Sequence, residues 1–263
     1  MTMDLGLADK VAIVTGGASN IGRAISKVLA AEGARVVILD RDAVMAERTC
    51  TEINDAGGSA ALYVADLTDV DATEAAVAAT ESDIGPVDVL VNNVGWNGTA
   101  SFFLDLTPER WDQAYRLNLF PTFNATRAVL ARMVQRRSGS IISISSDAGF
   151  GEFRMGDYGP MKAGVMSFSR IIAKEYGRYG IRSNAVCPGL VIPEADEIGE
   201  GSLWQGQVGF GPKEIADMEK GIPLRKRPEA VDIAHAVAWF ASEPARMLTG
   251  QVVSVSGGFA MPR

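Results

Sequence analysis

Tyr158 and Lys162 stand four residues apart in the stretch GDYGPMKAG. Four residues make about one helical turn, so a phenol and an ammonium would project from one face. A free phenol, with a pKa near 10, is a poor base at neutral pH. A neighbouring ammonium favours the phenolate and lowers that value. The pair therefore suits proton exchange with an alcohol oxygen. Pro160 lies between them. A proline is tolerated in the first helical turn, where its missing N–H has no partner to lose. The helix is therefore expected to begin close to Tyr158.

A second stretch, TGGASNIG at 15–22, joins a β-branched run to a helical one. Close approach of backbone to a pyrophosphate needs residues without bulk, and a helix N-terminus offers free N–H groups. Asp40 closes the next β-branched run, 18 residues after Gly22. A carboxylate there would accept hydrogen bonds from an adenosine ribose and repel a 2′-phosphate. This favours NAD over NADP, although Arg41 leaves the second reading open. Asp66, at the end of a third run, is a candidate partner for the adenine amino group, or a helix cap.

These residues need a frame. Seven short apolar runs read as strands, at about 11–17, 35–42, 60–69, 87–95, 139–149, 181–189 and 250–258. Helical stretches at about 20–34, 43–56, 70–84, 108–136 and 157–179 alternate with them. Strands alternating with helices of this length imply βαβ units. The expectation is a single-domain α/β fold over 1–263: a doubly wound, Rossmann-type, seven-stranded parallel sheet with helices on both faces. In such a sheet the ligand sits at the carboxyl ends of the strands. The chemistry-bearing residues fall there. The segment at about 190–224 breaks the alternation and reads as a substrate lid.

The formal net charge is −7 over 263 residues, which argues against nucleic acid or an anionic membrane as partner. Two cysteines far apart, Cys50 and Cys187, make no disulfide framework, and a reducing, cytoplasmic setting is expected. No apolar run is long enough for a membrane span. The only histidine, His235, reads as part of an apolar helical face, and one histidine makes no metal site.

Six pieces in this order resemble a short-chain dehydrogenase/reductase over about residues 8–258: the turn Thr15–Gly22, NNVG at 92–95, Asn118 in RLNL, SISSDAG at 143–149, Tyr158 with Lys162, and CPG at 187–189. The resemblance implies hydride transfer between a nicotinamide cofactor and a secondary alcohol. It implies Tyr158 as the proton-transferring residue, Lys162 beside it, a serine holding the substrate oxygen, and Asn118 anchoring a water chain from Lys162. It places the cofactor against Gly16, Ser19, Asn20, Ile21, Asp40, Asp66, Leu67, Asn93, Gly95, Tyr158, Lys162, Pro188, Gly189 and Val191. The serine is expected to be Ser146, which begins the Ser-x-x-Gly pattern ending at Gly149. Ser145 is the rival, because its spacing of 13 to Tyr158 is the commoner one in the family.

The chain departs from the family at Asn20, in place of a glycine, at Pro160, at Pro193, where a threonine usually meets the nicotinamide carboxamide, and at Ser256, in place of an aspartate. Asn visits left-handed conformations readily, so the turn is expected to survive. Backbone near Val191 would have to replace the threonine contact. Trp96, Phe150, Phe153, Met155, Val191, Trp204 and Phe210 are candidates for an apolar substrate wall.

GPVDVLVNNVGW and GQVVSVSGG are similar to 2-hydroxycyclohexanecarboxyl-CoA dehydrogenases. Yet Glu194, Asp196, Glu197, Glu200, Glu214, Asp217 and Glu219 outnumber Lys213, Lys220 and Arg225–Arg227 around the lid. An uncharged cyclic or aryl secondary alcohol is therefore preferred over a CoA thioester. Apolar residues of the two long helices (Phe120, Phe123, Val129, Met133, Met166, Phe168, Ile171 and Ile172) suggest the family's homotetramer. The competing class is a non-catalytic module that binds NAD(H).

Overall fold

The computed structural model describes residues 3–193, 199 and 211–261. Its strands are β1 (Val11–Thr15), β2 (Arg35–Asp40), β3 (Ser59–Val64), β4 (Val87–Asn92), β5 (Gly139–Ile144), β6 (Ile181–Pro188) and β7 (Val252–Val255). They form one parallel sheet in the order β3-β2-β1-β4-β5-β6-β7. The order reverses between β1 and β4, which opens a crevice at their carboxyl ends. The doubly wound expectation holds.

All five residues of β1 are buried, as strands covered on both faces must be. Side-chain alternation divides the apolar residues between two layers. Val14, Ile38, Val91, Ile142 and Val186 face α1 (Asn20–Ala31), α2 (Ala43–Asp55) and α8 (Ala230–Ala241). Their neighbours Ile13, Val37, Leu90 and Ile141 face α3 (Val70–Asp83), α5 (Phe120–Arg136) and α6 (Tyr158–Tyr176). Asp42 caps α2 through Met45 N–H at 3.0 Å, and Asp69 caps α3. Asp66 is thus not the helix cap; it closes a turn onto Thr68.

The expected helix over 108–136 is two helices, α4 (Pro108–Asn118) and α5, which meet at Leu119. Pro121 lacks the N–H that a continuous helix would use there, and the Asn118 amide instead donates to the Ala114 carbonyl at 2.9 Å. The strands also stop short of their expected ends. β4 ends at Asn92 and β5 at Ile144, and the chain leaves the sheet with its polar residues facing the crevice.

Val129, Met133 and Ile172 belong to the core, not to a free helix face, because they pack with the sheet residues, and Met166 is buried near Gly149. Phe120, Phe123 and Phe168 are half-buried and Ile171 is exposed. His235 is exposed, on the solvent side of α8, whose other side carries Ile233, Val237 and Phe240 inward. α7 (Pro212–Lys220) falls within the expected lid. Trp204, Phe210, Glu194, Asp196, Glu197 and Glu200 lie outside the described residues. Among the described residues, no helix is long and apolar enough to cross a membrane.

Candidate active site

A cavity of about 790 Å³ opens at the carboxyl ends of the strands. Every residue expected at the cofactor lines it: Gly16, Ser19, Asn20, Ile21, Asp40, Asp66, Leu67, Asn93, Gly95, Tyr158, Lys162, Pro188, Gly189 and Val191. Ser146 lines it too. Asn118 does not; it stands behind the wall, fully buried.

The glycine turn is a cradle without room for side chains. A Cβ on Gly22 would stand 1.9 Å from the Gly16 carbonyl oxygen, and Gly16 itself adopts φ +61°. Asn20 takes φ 44°, the left-handed conformation anticipated for it. The Oδ1 of Asn20 is buried without a hydrogen-bond partner. Ser19 makes no side-chain cap on α1, and no acid of the helix itself sits in its first turn. Such a terminus suits a phosphate. The residues present fit a dinucleotide.

Two side chains fix this cradle. Asn93 donates from Nδ2 to the carbonyls of Thr15 and Gly16, at 3.1 and 2.9 Å. Asp40 accepts the N–H of Ala18 at 3.1 Å and of Asp42 at 3.0 Å. Its carboxylate therefore shapes the turn as well as facing the cleft, and burial, the largest influence, raises its pKa. Asp66 is exposed at the same end, beside buried Leu67, whose carbonyl accepts Asn124 Nδ2 at 2.9 Å.

α6 begins at Tyr158, which places Pro160 in the first turn, as its missing N–H requires. Lys162 follows one turn later, buried, and its Nζ donates to the Ile144 carbonyl at 3.0 Å. That nitrogen lies 5.6 Å from the centre of the Tyr158 ring. The expectation that the ammonium lowers the phenol pKa is corrected. Burial pushes Tyr158 up to about 12, against a hydrogen bond from Ser146 that favours the phenolate. Burial also pulls Lys162 down to about 8. Desolvation is the largest influence on both groups and disfavours both charged forms.

The two serines separate cleanly. Ser145 is buried and donates to the Lys162 carbonyl at 2.7 Å. Ser146 stands beside Tyr158, where its hydroxyl favours the phenolate, and accepts the Ala148 N–H at 3.2 Å, opening a single 3₁₀ turn over Asp147–Phe150. Asn118 clasps the Trp96 backbone from both sides: Oδ1 accepts its N–H at 2.8 Å and Nδ2 donates to its carbonyl at 2.9 Å. The point where a Cβ on Gly95 would stand lies 2.7 Å from Lys162 Nζ and 3.2 Å from Asn118 Oδ1. Any side chain at 95 would wedge between them.

Of the expected substrate wall, Met155 and Val191 line the cleft. Phe153 borders a smaller adjoining cavity of about 380 Å³, Phe150 is exposed, and Trp96 is buried under Arg110. The sequence reading missed Leu117, Met218, Ile222 and Phe259, which supply apolar lining from three separate segments. It also missed Asp147, buried beside Ser146 and held by the Ser254 hydroxyl at 2.8 Å; burial raises its pKa. No group of three or more metal-ligating side chains occurs among the described residues.

Comparison with known proteins gives the same picture. The family model described as short chain dehydrogenase matches residues 10–197. The chain is 33% identical to a 2,3-dihydro-2,3-dihydroxybenzoate dehydrogenase of Bacillus subtilis, over 96% of this chain and 97% of that one. It is 34% identical to the (2S)-[(R)-hydroxy(phenyl)methyl]succinyl-CoA dehydrogenase subunit BbsD of Thauera aromatica, over 97% and 98% of the two chains. The crystal structure of gox2181 superposes with a TM-score of 0.89 at 32% identity, covering 97% of each chain.

Proposed function

The chain belongs to the short-chain dehydrogenase family, an oxidoreductase acting on CH–OH donors with a nicotinamide cofactor, and from that premise we propose that it interconverts a cyclic or aryl secondary alcohol and its ketone with NAD(H). The observation that carries this reading is the convergence of Tyr158, Ser146 and Lys162 on one cleft whose far wall is the glycine turn. Bound nicotinamide supplies the hydride donor or acceptor. The protein's own residues handle the rest. Tyr158 holds the transferred proton at its phenolic oxygen. Ser146, whose hydroxyl favours the Tyr158 phenolate, steadies the substrate oxygen as charge shifts onto it. Lys162 and Asn118, gathered around Gly95, carry the proton's return path toward solvent. Asp40 favours NAD by offering acceptors to the ribose and repelling a 2′-phosphate.

The apolar lining supports an uncharged substrate. So does the pairing of the nearby cations: Lys220 with Asp217 at 2.7 Å, Lys226 with Glu229 at 2.7 Å, and Arg227 with Glu219 at 3.8 Å. Three of the five basic residues around the lid are thus neutralised by carboxylates, which weakens the case for a CoA phosphate. One domain spans the chain, with residues 190–224 as its lid. The half-buried Phe120, Phe123 and Phe168 with exposed Ile171 are the surface through which the cytoplasmic protein forms a homotetramer. The test is a panel of cyclic alcohols, aryl alcohols and hydroxyacyl-CoA thioesters, followed by nicotinamide absorbance with NAD and with NADP. Turnover of the free alcohols with NAD supports the proposal. Turnover of the thioesters alone, or NADP preference, contradicts it. NADH binding with no turnover of any substrate would favour the non-catalytic module.

A further inference from the structure

Arg110 stands in the first turn of α4, away from the expected catalytic residues, yet it joins three parts of the site. Its Nε donates to Asp157 Oδ2 at 2.6 Å. Its Nη2 donates to the Thr99 carbonyl at 3.1 Å. Its guanidinium carbon lies 5.0 Å from the centre of the Trp96 ring. Thr99 belongs to the 97–100 stretch that lines the cleft. Asp157 immediately precedes Tyr158, and its Oδ1 accepts the Tyr158 N–H at 2.9 Å. The Asp157 side chain is only 5% exposed, so its charge depends on this one cation for a partner in the ion pairs formed.

Gly98 records how closely the parts approach. A Cβ on Gly98 would stand 1.9 Å from Arg110 Nη2 and 2.8 Å from the Trp96 ring. The guanidinium thus occupies the space that a side chain at 98 would fill. Planar, with donors on two sides, it bridges a carboxylate and a carbonyl at once; an ammonium has no such fork. Trp96 is in turn clasped by Asn118. An unbroken set of contacts therefore runs from Asn118 through Trp96, Arg110 and Asp157 to the backbone of Tyr158.

We propose that Arg110 is a positioning residue that locks the 96–100 wall of the cleft to the first residue of α6, and so sets where the Tyr158 hydroxyl stands relative to bound substrate. Arg110 touches neither substrate nor cofactor; it acts through Asp157 and Thr99. The proposal rests on Tyr158 as the proton-transferring residue for its kinetic consequence, though not for the coupling itself.

The coupling is tested first by hydrogen–deuterium exchange on Arg110→Ala. Exchange should rise in both 96–101 and 155–161, with 11–22 unchanged. A rise confined to 96–101 would overturn the lock, whatever reaction the enzyme catalyses. Kinetics on the alcohol that gives the highest turnover follow. Arg110→Ala should lower kcat at least about tenfold, leave NADH affinity within about twofold, and be partly restored in Arg110→Lys, which keeps the bond to Asp157. A folded Arg110→Ala enzyme with kcat within about twofold of wild type contradicts the proposal. Should Arg110→Ala fail to fold, Gly98→Ala displaces the guanidinium while leaving every charge in place. It must show the same paired rise in exchange and the same fall in kcat, and failure of either counts against the lock.

Discussion

The Lys162 ammonium faces the ring of Tyr158 at 5.6 Å from its centre, while its proton is donated to the Ile144 carbonyl. The pair shares one helix face, as four-residue spacing requires, with the ammonium anchored by the Ile144 carbonyl. Burial then decides both ionisations, pushing the phenol up to about 12 and the ammonium down to about 8. At neutral pH the phenol carries its proton, the state that can donate to a carbonyl.

The same shift makes Lys162 a load on stability. Its folded pKa of about 8 lies below the ordinary 10.5. The unfolded chain therefore binds more protons in that window, so stability rises as pH climbs from about 8 toward 10.5. Lys162→Met removes the buried charge. It should melt higher than wild type at pH 6–7, by no more than about 3 kcal/mol, and the gain should shrink above pH 8. A variant that melts lower at pH 6–7 would show that the Ile144 bond outweighs the desolvation.

Asp40 has two tasks, which a pair of substitutions can separate. Asp40→Ala removes the acceptors facing the cleft, and it also releases the N–H groups of Ala18 and Asp42. kcat/KM with NAD should fall about tenfold or more while that with NADP falls less, so the gap between cofactors narrows. Asp40→Asn keeps an acceptor for the turn and should melt close to wild type. An unchanged cofactor ratio in Asp40→Ala contradicts the ribose assignment.

The serine assignment rests on where two hydroxyls point. Ser146 meets the Tyr158 side chain, whereas Ser145 is turned inward to the Lys162 carbonyl. Ser146→Ala should lower kcat by one to a few orders of magnitude with little change in melting temperature. Ser145→Ala should act through stability, by about 1–3 kcal/mol. Kinetics and melting curves measured on both variants decide the matter. An inactive, well-folded Ser145→Ala enzyme would reverse the assignment.

The frame was legible because buried parallel strands write themselves as β-branched runs. Val11–Thr15, Arg35–Asp40 and Ile181–Pro188 are all found where the pattern puts them. The position of Pro160 likewise announced where α6 begins. The break at Leu119 was less legible, because Pro121 is tolerated in a first helical turn and so marks a helix start only once Leu119 is known to leave the helix, while Asn118 is held by a tertiary partner, the Trp96 backbone. Exposure on α5 and α6 was misread for a related reason. Val129, Met133 and Ile172 look surplus until the sheet that covers them is in place. Arg110 gave no signal at all. Its partners Thr99 and Asp157 lie 11 and 47 residues away, although an aspartate directly before a helix start does hint that Asp157 is a cap.

The central claim is that Tyr158 transfers the proton in a hydride-transfer reaction. Its most direct test is ketone reduction by Tyr158→Phe, measured with NADH affinity on the same preparation. The account predicts turnover reduced far below a tenth of wild type, with NADH affinity nearly unchanged, since the ring remains and only the hydroxyl is lost. A well-folded Tyr158→Phe enzyme that keeps more than about a tenth of wild-type turnover, a loss smaller than about 1.4 kcal/mol of transition-state stabilisation, would show that another group moves the proton.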